Sequence, residues 1–204
     1  REGALRAESV LGRLESIWER DVKERTYDGS GDGNGNGIYR PNPVLYTSVI
    51  NAWKSCGDGR RAEMTLERME TAHERSGYDP HLAPDVVSYT SVIEALADSR
   101  PSADGPLLAE RADAMVERME RSYETGENFR ARPNAYTYTS LIKLYGRHVK
   151  SAEGAERAEG ALRRMGDLHD RTGFDDVRPN AYAYTAAMNA WSKANRGIEG
   201  ARRA

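Results

Sequence analysis

The sequence predicts an all-α chain in which short helical hairpins stack into a solenoid. Three observations predict it: one segment returns four times, a second helical stripe lies between its copies, and strand-like alternation is missing. The returning segment reads PNPVLYTSVINAW from Pro41, PDVVSYTSVIEAL from Pro84, PNAYTYTSLIKLY from Pro133 and PNAYAYTAAMNAW from Pro179. Its Tyr-Thr pairs are Tyr46-Thr47, Tyr89-Thr90, Tyr138-Thr139 and Tyr184-Thr185, and tyrosine to tyrosine the steps are 43, 49 and 46 residues. A single hairpin of that size cannot bury its own apolar face, whereas stacked neighbours bury one continuous core.

The elements follow in chain order. The N-terminal LRAESVLGRLE places Ala7, Leu11 and Leu14 at offsets of four and three, one stripe of a helix. It reads as the second helix of a partial unit, residues 1–42, that closes with a Gly-rich connector. Within that connector, Asp28 to Gly37 reads DGSGDGNGNG. Asp32, Asn34, Asn36 and Gly37 satisfy the opening of a calcium-binding loop, but Pro43 occupies the twelfth position, where the template needs a bidentate Glu. The run fills the connector slot that every unit has, so a loop insertion is expected and a metal is not.

The first whole unit, residues 43–85, pairs a Pro-initiated helix carrying Tyr46 with a second helix striped by Ala62, Leu66 and Met69. Residues 86–134 repeat the plan with Ala112, Val116 and Met119, and residues 135–180 with Ala158, Leu162 and Met165. Residues 181–204 open another unit, and Ala204 is expected to begin its second helix at the place of Ala158. The chain thus reads as a window on a longer array. Gly77, Gly126 and Gly173 lie seven or eight residues past the stripe Met and suit the left-handed residue that ends a helix, so each second helix is expected to run about two turns past its Met. The four Tyr are read as inter-helix packing residues, and Trp53, Leu96, Tyr145 and Trp191, seven residues on from each, as core.

Composition narrows the function. With 38% hydrophobic and 30% charged residues, the chain fits helices that bury one stripe and leave the other wet. A net charge of −2 gives no global attraction for nucleic acid, so any such binding needs a local stripe of cations. The single Cys56 excludes an internal disulfide and a Cys-based zinc site. No apolar run approaches bilayer length, and no signal-peptide pattern is present. His73 and His169 share an offset with Tyr123, which makes theirs a packing position, while His81 and His148 are placed in connectors. No ligand spacing or nucleophile-base pairing stands out, so neither catalysis, nor a cofactor, nor a small-molecule substrate is expected. Glu/Arg runs such as ERMERSYE read as solvated faces with i,i+4 pairs.

The Tyr, the Val49-Ile50-Asn51-Ala52 and Val92-Ile93-Glu94-Ala95 runs that follow it, the Ala-to-Met helix and the closing Pro-Asn or Pro-Asp together resemble pentatricopeptide repeats. The resemblance covers nearly the whole chain, although the units exceed the family's usual length of about 35 residues. Tetratricopeptide repeats share the hairpin plan, but their W-x2-L-G-x2-Y order is absent. The resemblance implies a right-handed α-α superhelix, tetratricopeptide-like in architecture, whose first helices line a concave groove for single-stranded RNA, one base per unit. It also implies two base-reading side chains per unit: Thr47 with Asp85, Thr90 with Asn134, and Thr139 with Asn180, leaving Asn42 and Thr185 to the partial units.

An ionised Asp only accepts hydrogen bonds and suits G or U, whereas Asn both donates and accepts and suits A or C. With the family rule that a short hydroxyl residue selects purines, the three slots read G, A, A from 5′ to 3′. Val44, Val87, Tyr136 and Tyr182 occupy the family's base-stacking position, and Lys54, Arg147 and Lys193 are placed to reach phosphate. Glu94 and Asp98 stand on the second unit's first helix instead and would repel it. The resemblance further implies RNA metabolism in a mitochondrion or plastid; with no apolar run near bilayer length, no membrane partner is expected. Residue chemistry leaves a second reading open: the Thr satisfy first-turn backbone groups, the Asn and Asp are N-caps, and the chain is a scaffold whose groove or long connectors bind protein.

Overall fold

A computed structural model describes residues 1–27, 41–100 and 105–203, with side chains described for 1–21, 41–100 and 105–194. Among the described residues there are eight α-helices and no strand. The helices are α1 (Glu2–Tyr27), α2 (Pro43–Ser55), α3 (Gly59–Arg75), α4 (Val86–Asp98), α5 (Gly105–Glu124), α6 (Ala135–His148), α7 (Ala152–Thr172) and α8 (Ala181–Arg203). The DGSGDGNGNG run, and with it the expectation of a loop insertion there, lies outside the described residues.

Local chemistry sets these bounds. Asn42, Asp85 and Asn134 cap α2, α4 and α6, each accepting a hydrogen bond from a first-turn backbone N–H, and Asn180 receives the Ala183 N–H at 3.0 Å. Asp58 and Ser151 do the same for α3 and α7. The second helices α3, α5 and α7 end at Arg75, Glu124 and Thr172, one and a half to two turns past their stripe Met. Gly77, Gly126 and Gly173 follow at φ 74°, 76° and 71°, the left-handed region that costs glycine least.

The connectors beyond are anchored by one apolar residue two positions before the next Pro: Leu82, Ala131 and Val177 are all fully buried. They also bond to one another. Asn128 Nδ2 donates to the Pro84 carbonyl at 2.7 Å, and Arg132 grips Asp176 through two bonds of 2.8 and 2.7 Å while lying 4.1 Å from the Phe174 ring centre.

Stacking generates two unlike rows. The first helices pack directly on their successors, α2 on α4, α4 on α6 and α6 on α8, with each second helix against its own and the next first helix. Small residues allow the closest approaches: a Cβ on Gly105 would come within 2.4 Å of the His148 carbonyl oxygen, and one on Gly146 within 3.1 Å of the Ala190 Cβ. Among the described residues no close backbone contact joins α1 to α3, α3 to α5 or α5 to α7. Long ion pairs span those gaps instead: Arg68 to Glu15 at 2.5 Å, Arg111 to Glu63 at 3.0 Å, Arg118 to Glu70 at 2.6 Å and Arg164 to Glu120 at 2.7 Å. One row is tight and the other is propped apart, so the stack curves with the first helices on its inner side.

The Arg-Glu ladder corrects the reading of these faces as solvated with i,i+4 pairs. Each Arg precedes a stripe Ala or Met, and its partner sits on the second helix of the preceding unit. The same carboxylates receive the core tyrosines: Tyr89 donates to Glu70 at 2.7 Å and Tyr138 to Glu120 at 2.5 Å. Burial, and then the adjacent carboxylate, push both phenols upward.

Tyr184 departs from its three counterparts and is half exposed, and Gly166, standing where Glu70 and Glu120 stand, offers its hydroxyl no carboxylate. α8 departs too: it continues unbroken to Arg203, with neither Asp nor Ser at the places where Asp58 and Ser151 start a second helix.

His148 is not a connector residue. It ends α6, is buried, and its Nε2–H donates to the Ala97 carbonyl of α4 at 3.1 Å, while Nδ1 is buried without a partner. Burial, aided by Arg147 and Lys150, holds its pKa below the ordinary 6.5. Between the depressed native value and 6.5 the unfolded chain binds more protons, so stability is full above 6.5 and declines as pH falls below it. Thermal unfolding at pH 5.5 is therefore expected several degrees below that at pH 7.5. His148→Gln should remove part of the difference; His73, shifted the same way by burial, supplies another part.

Candidate nucleic-acid interface

The inner row brings the predicted side chains into one strip. Because each first helix starts with the same Pro-Asn/Asp-x-x-x-Tyr-Thr order, its first turn presents the cap, the stacking position and the Thr together. Val44, Val87, Tyr136 and Tyr182 are all exposed, between 55% and 79%. Apolar side chains left this open at a regular position need another reason than the fold. The Tyr136 hydroxyl donates to Glu94 of α4, which pushes its phenol up to about 12 and fixes the ring over the boundary between two first helices.

The Asn and Asp side chains are caps, as the alternative reading allowed, and capping leaves half of each free. Asn134 Oδ1 takes the Tyr136 and Thr137 N–H groups at 3.0 and 3.1 Å, and no partner is found for Nδ2 among the described residues. Asp85 Oδ1 takes the Ser88 N–H and hydroxyl at 2.9 and 2.8 Å, and Oδ2 has no partner among the described residues. Asn42 and Asn180 are exposed.

The threonines divide. Thr47 and Thr185 reach solvent, the first partly and the second openly. Thr90 is only 4% exposed and Thr139 5%. Thr90 bonds the Thr137 hydroxyl of the next unit at 2.8 Å, and Thr139 donates to its own Ala135 carbonyl at 2.6 Å. The expectation that these two hydroxyls face an open groove is therefore corrected. The next first helix packs too closely, and at those slots only Asn134 and Asn180 reach outward.

Two hydroxyls missed in the sequence link the expected pairs. Ser88 lies between Thr47, at 3.0 Å, and Asp85, at 2.8 Å. Thr137 lies between Thr90, at 2.8 Å, and Asn134, at 3.2 Å. Both stand immediately before the repeat Tyr, where Leu45 and Ala183 occupy the other units, so a half-conserved pattern within the chain was the available signal.

Charge is arranged along the same face. A cleft of about 430 Å3 runs between α4, α6 and α8, lined by Glu94, Asp98, Lys143, Arg147, Tyr182 and Lys193 among others. Of the expected phosphate contacts, Lys54 is paired with Glu94 and Arg147 with Asp98 at 3.6 Å, so these cations first neutralise the acidic unit. Lys193 and Lys143 have no partner among the described residues, and Lys143 was not anticipated. The four first helices thus carry four described cations against two carboxylates, although the chain as a whole is at −2.

Among the described residues no His, Cys, Asp and Glu cluster is placed to hold a metal, and no helix is long and apolar enough to cross a membrane. The family model described as PPR repeat matches residues 44–73, which is α2 and most of α3. No curated protein matches the chain.

Proposed function

Since the chain is a pentatricopeptide repeat protein, of a family of RNA-binding repeats, we propose that it binds single-stranded RNA along the first-helix row, one base per unit. The single observation that carries this reading is the regular strip of exposed Val44, Val87, Tyr136 and Tyr182 beside a half-free Asn or Asp at each unit boundary. Bases stacked on Tyr136 and Tyr182 are each worth about 1–3 kcal/mol. The units are taken as residues 43–85, 86–134 and 135–180, and their slots as G, A and A. The first rests on Thr47 with Asp85, the other two chiefly on Asn134 and Asn180. Lys143, Arg147 and Lys193 supply phosphate contacts. In keeping with the family resemblance, the setting is RNA metabolism in a mitochondrion or plastid: transcript processing, stability, editing or translation.

Gel-shift titration with short RNAs containing GAA, against scrambled RNA and DNA of the same length, tests the reading. Asn134→Asp is the informative variant. Asp caps as well as Asn, so stability should hold, while the outward amide donor becomes a carboxylate acceptor. The middle preference is expected to move from A toward G by roughly tenfold. Equal binding to every sequence, or none at low salt, would favour the second reading, a protein-docking groove, which the burial of Thr90 and Thr139 supports.

A further inference from the structure

We propose that Ser88 is a positioning residue that sets the base preference of the first slot by holding Thr47 and Asp85 as a pair of acceptors. The inference rests on the reading of that pair given above. Ser88 is fully buried and belongs to the unit after Thr47, so it reaches no ligand itself. Its hydroxyl has one proton to give, and the carboxylate of Asp85 at 2.8 Å is the stronger acceptor. In the 3.0 Å contact with Thr47, the proton must then come from Thr47. What remains at the slot is the lone pairs of Thr47 and the free Oδ2 of Asp85, two acceptors and no donor. Guanine offers two adjacent donors, N1–H and N2–H2, to such a pair. Adenine presents N1 as an acceptor there and meets no proton.

The chain contains its own comparison. At the third slot the bridging position falls on Ala183 of the partial unit 181–204, which has no hydroxyl, and Thr139 turns back to its own helix, donating to the Ala135 carbonyl at 2.6 Å. Thr185 does the same with Ala181 at 2.7 Å. A Thr at this place thus swings toward Asp or Asn of its slot only where the next unit supplies a hydroxyl. Ser88→Ala is expected to put Thr47 in the Thr139 state and to separate it from Asp85.

The test uses the 204-residue chain and four RNAs that differ only at the first slot: GAA, AAA, UAA and CAA. Fluorescence anisotropy should give a GAA-over-AAA preference for the parent that drops roughly three- to tenfold in Ser88→Ala, with preferences at the other two positions unchanged. Ser88→Thr should restore it. Ser88→Cys, close in volume but a weak donor, should lose it without opening a cavity, which keeps the test available if the alanine variant folds poorly. Equal weakening toward all four RNAs, with the GAA-over-AAA ratio intact, would reduce Ser88 to an inter-helix tie and overturn the proposal alone. A parent chain with no first-position preference would overturn both this proposal and the pair reading beneath it.

Discussion

Tyr138→Ala should destabilise the chain by about 3–5 kcal/mol and lower its thermal midpoint by on the order of 10 °C. Tyr138 is fully buried on α6. Its hydroxyl donates to Glu120 of α5 at 2.5 Å, and Glu120 accepts from Arg164 of α7 at 2.7 Å. One side chain therefore fills the core between two units and anchors the ion pair that spans the outer row. Truncation leaves a cavity and deprives a half-buried carboxylate of one of its two donors. Tyr138→Phe separates the contributions, since it keeps the ring and should cost only about 1 kcal/mol. Circular-dichroism melts of both variants decide the matter. If Tyr138→Ala melts within a degree or two of the parent, the core does not depend on the conserved-in-repeat Tyr as argued.

The second large effect concerns binding. Lys143→Glu combined with Lys193→Glu should weaken RNA binding about 100-fold at 50 mM salt and flatten the dependence of log affinity on log salt by about 1.4 or more. Both lysines are exposed, and neither has a partner among the described residues, so the fold should be untouched. Lys54→Ala makes the contrast. Its ammonium is already held by Glu94, so its loss frees a carboxylate beside the strip rather than removing an idle cation. Salt titrations by anisotropy read both. A double reversal that leaves the salt slope unchanged would move the RNA elsewhere, or remove it.

Local patterning made much of the architecture legible. The Ala-to-Met stripes, the Pro-Asn/Asp starts and the glycines past each Met correspond to helix faces, caps and left-handed ends, because each depends on contacts within a few residues. The candidate strip was legible for the same reason, since Val44, Val87, Tyr136 and Tyr182 share one place in one kind of first turn. Less legible was anything that crosses a unit boundary. Arg164 meets Glu120 across 44 residues and Lys54 meets Glu94 across 40. With steps of 43, 49 and 46 residues, no fixed spacing announces such partners.

Sequence alone, then, determined that this is a row of helical hairpins and where in each first helix the Pro-Asn/Asp start and the repeat Tyr fall. Tertiary structure alone decided which hydroxyls stay open, which cations are already paired, and that Ser88 and Thr137 bridge neighbouring units. Periodicity records how a helix treats its own turns. Burial and pairing depend on how closely the next helix approaches, and that distance is set by side chains some forty residues away.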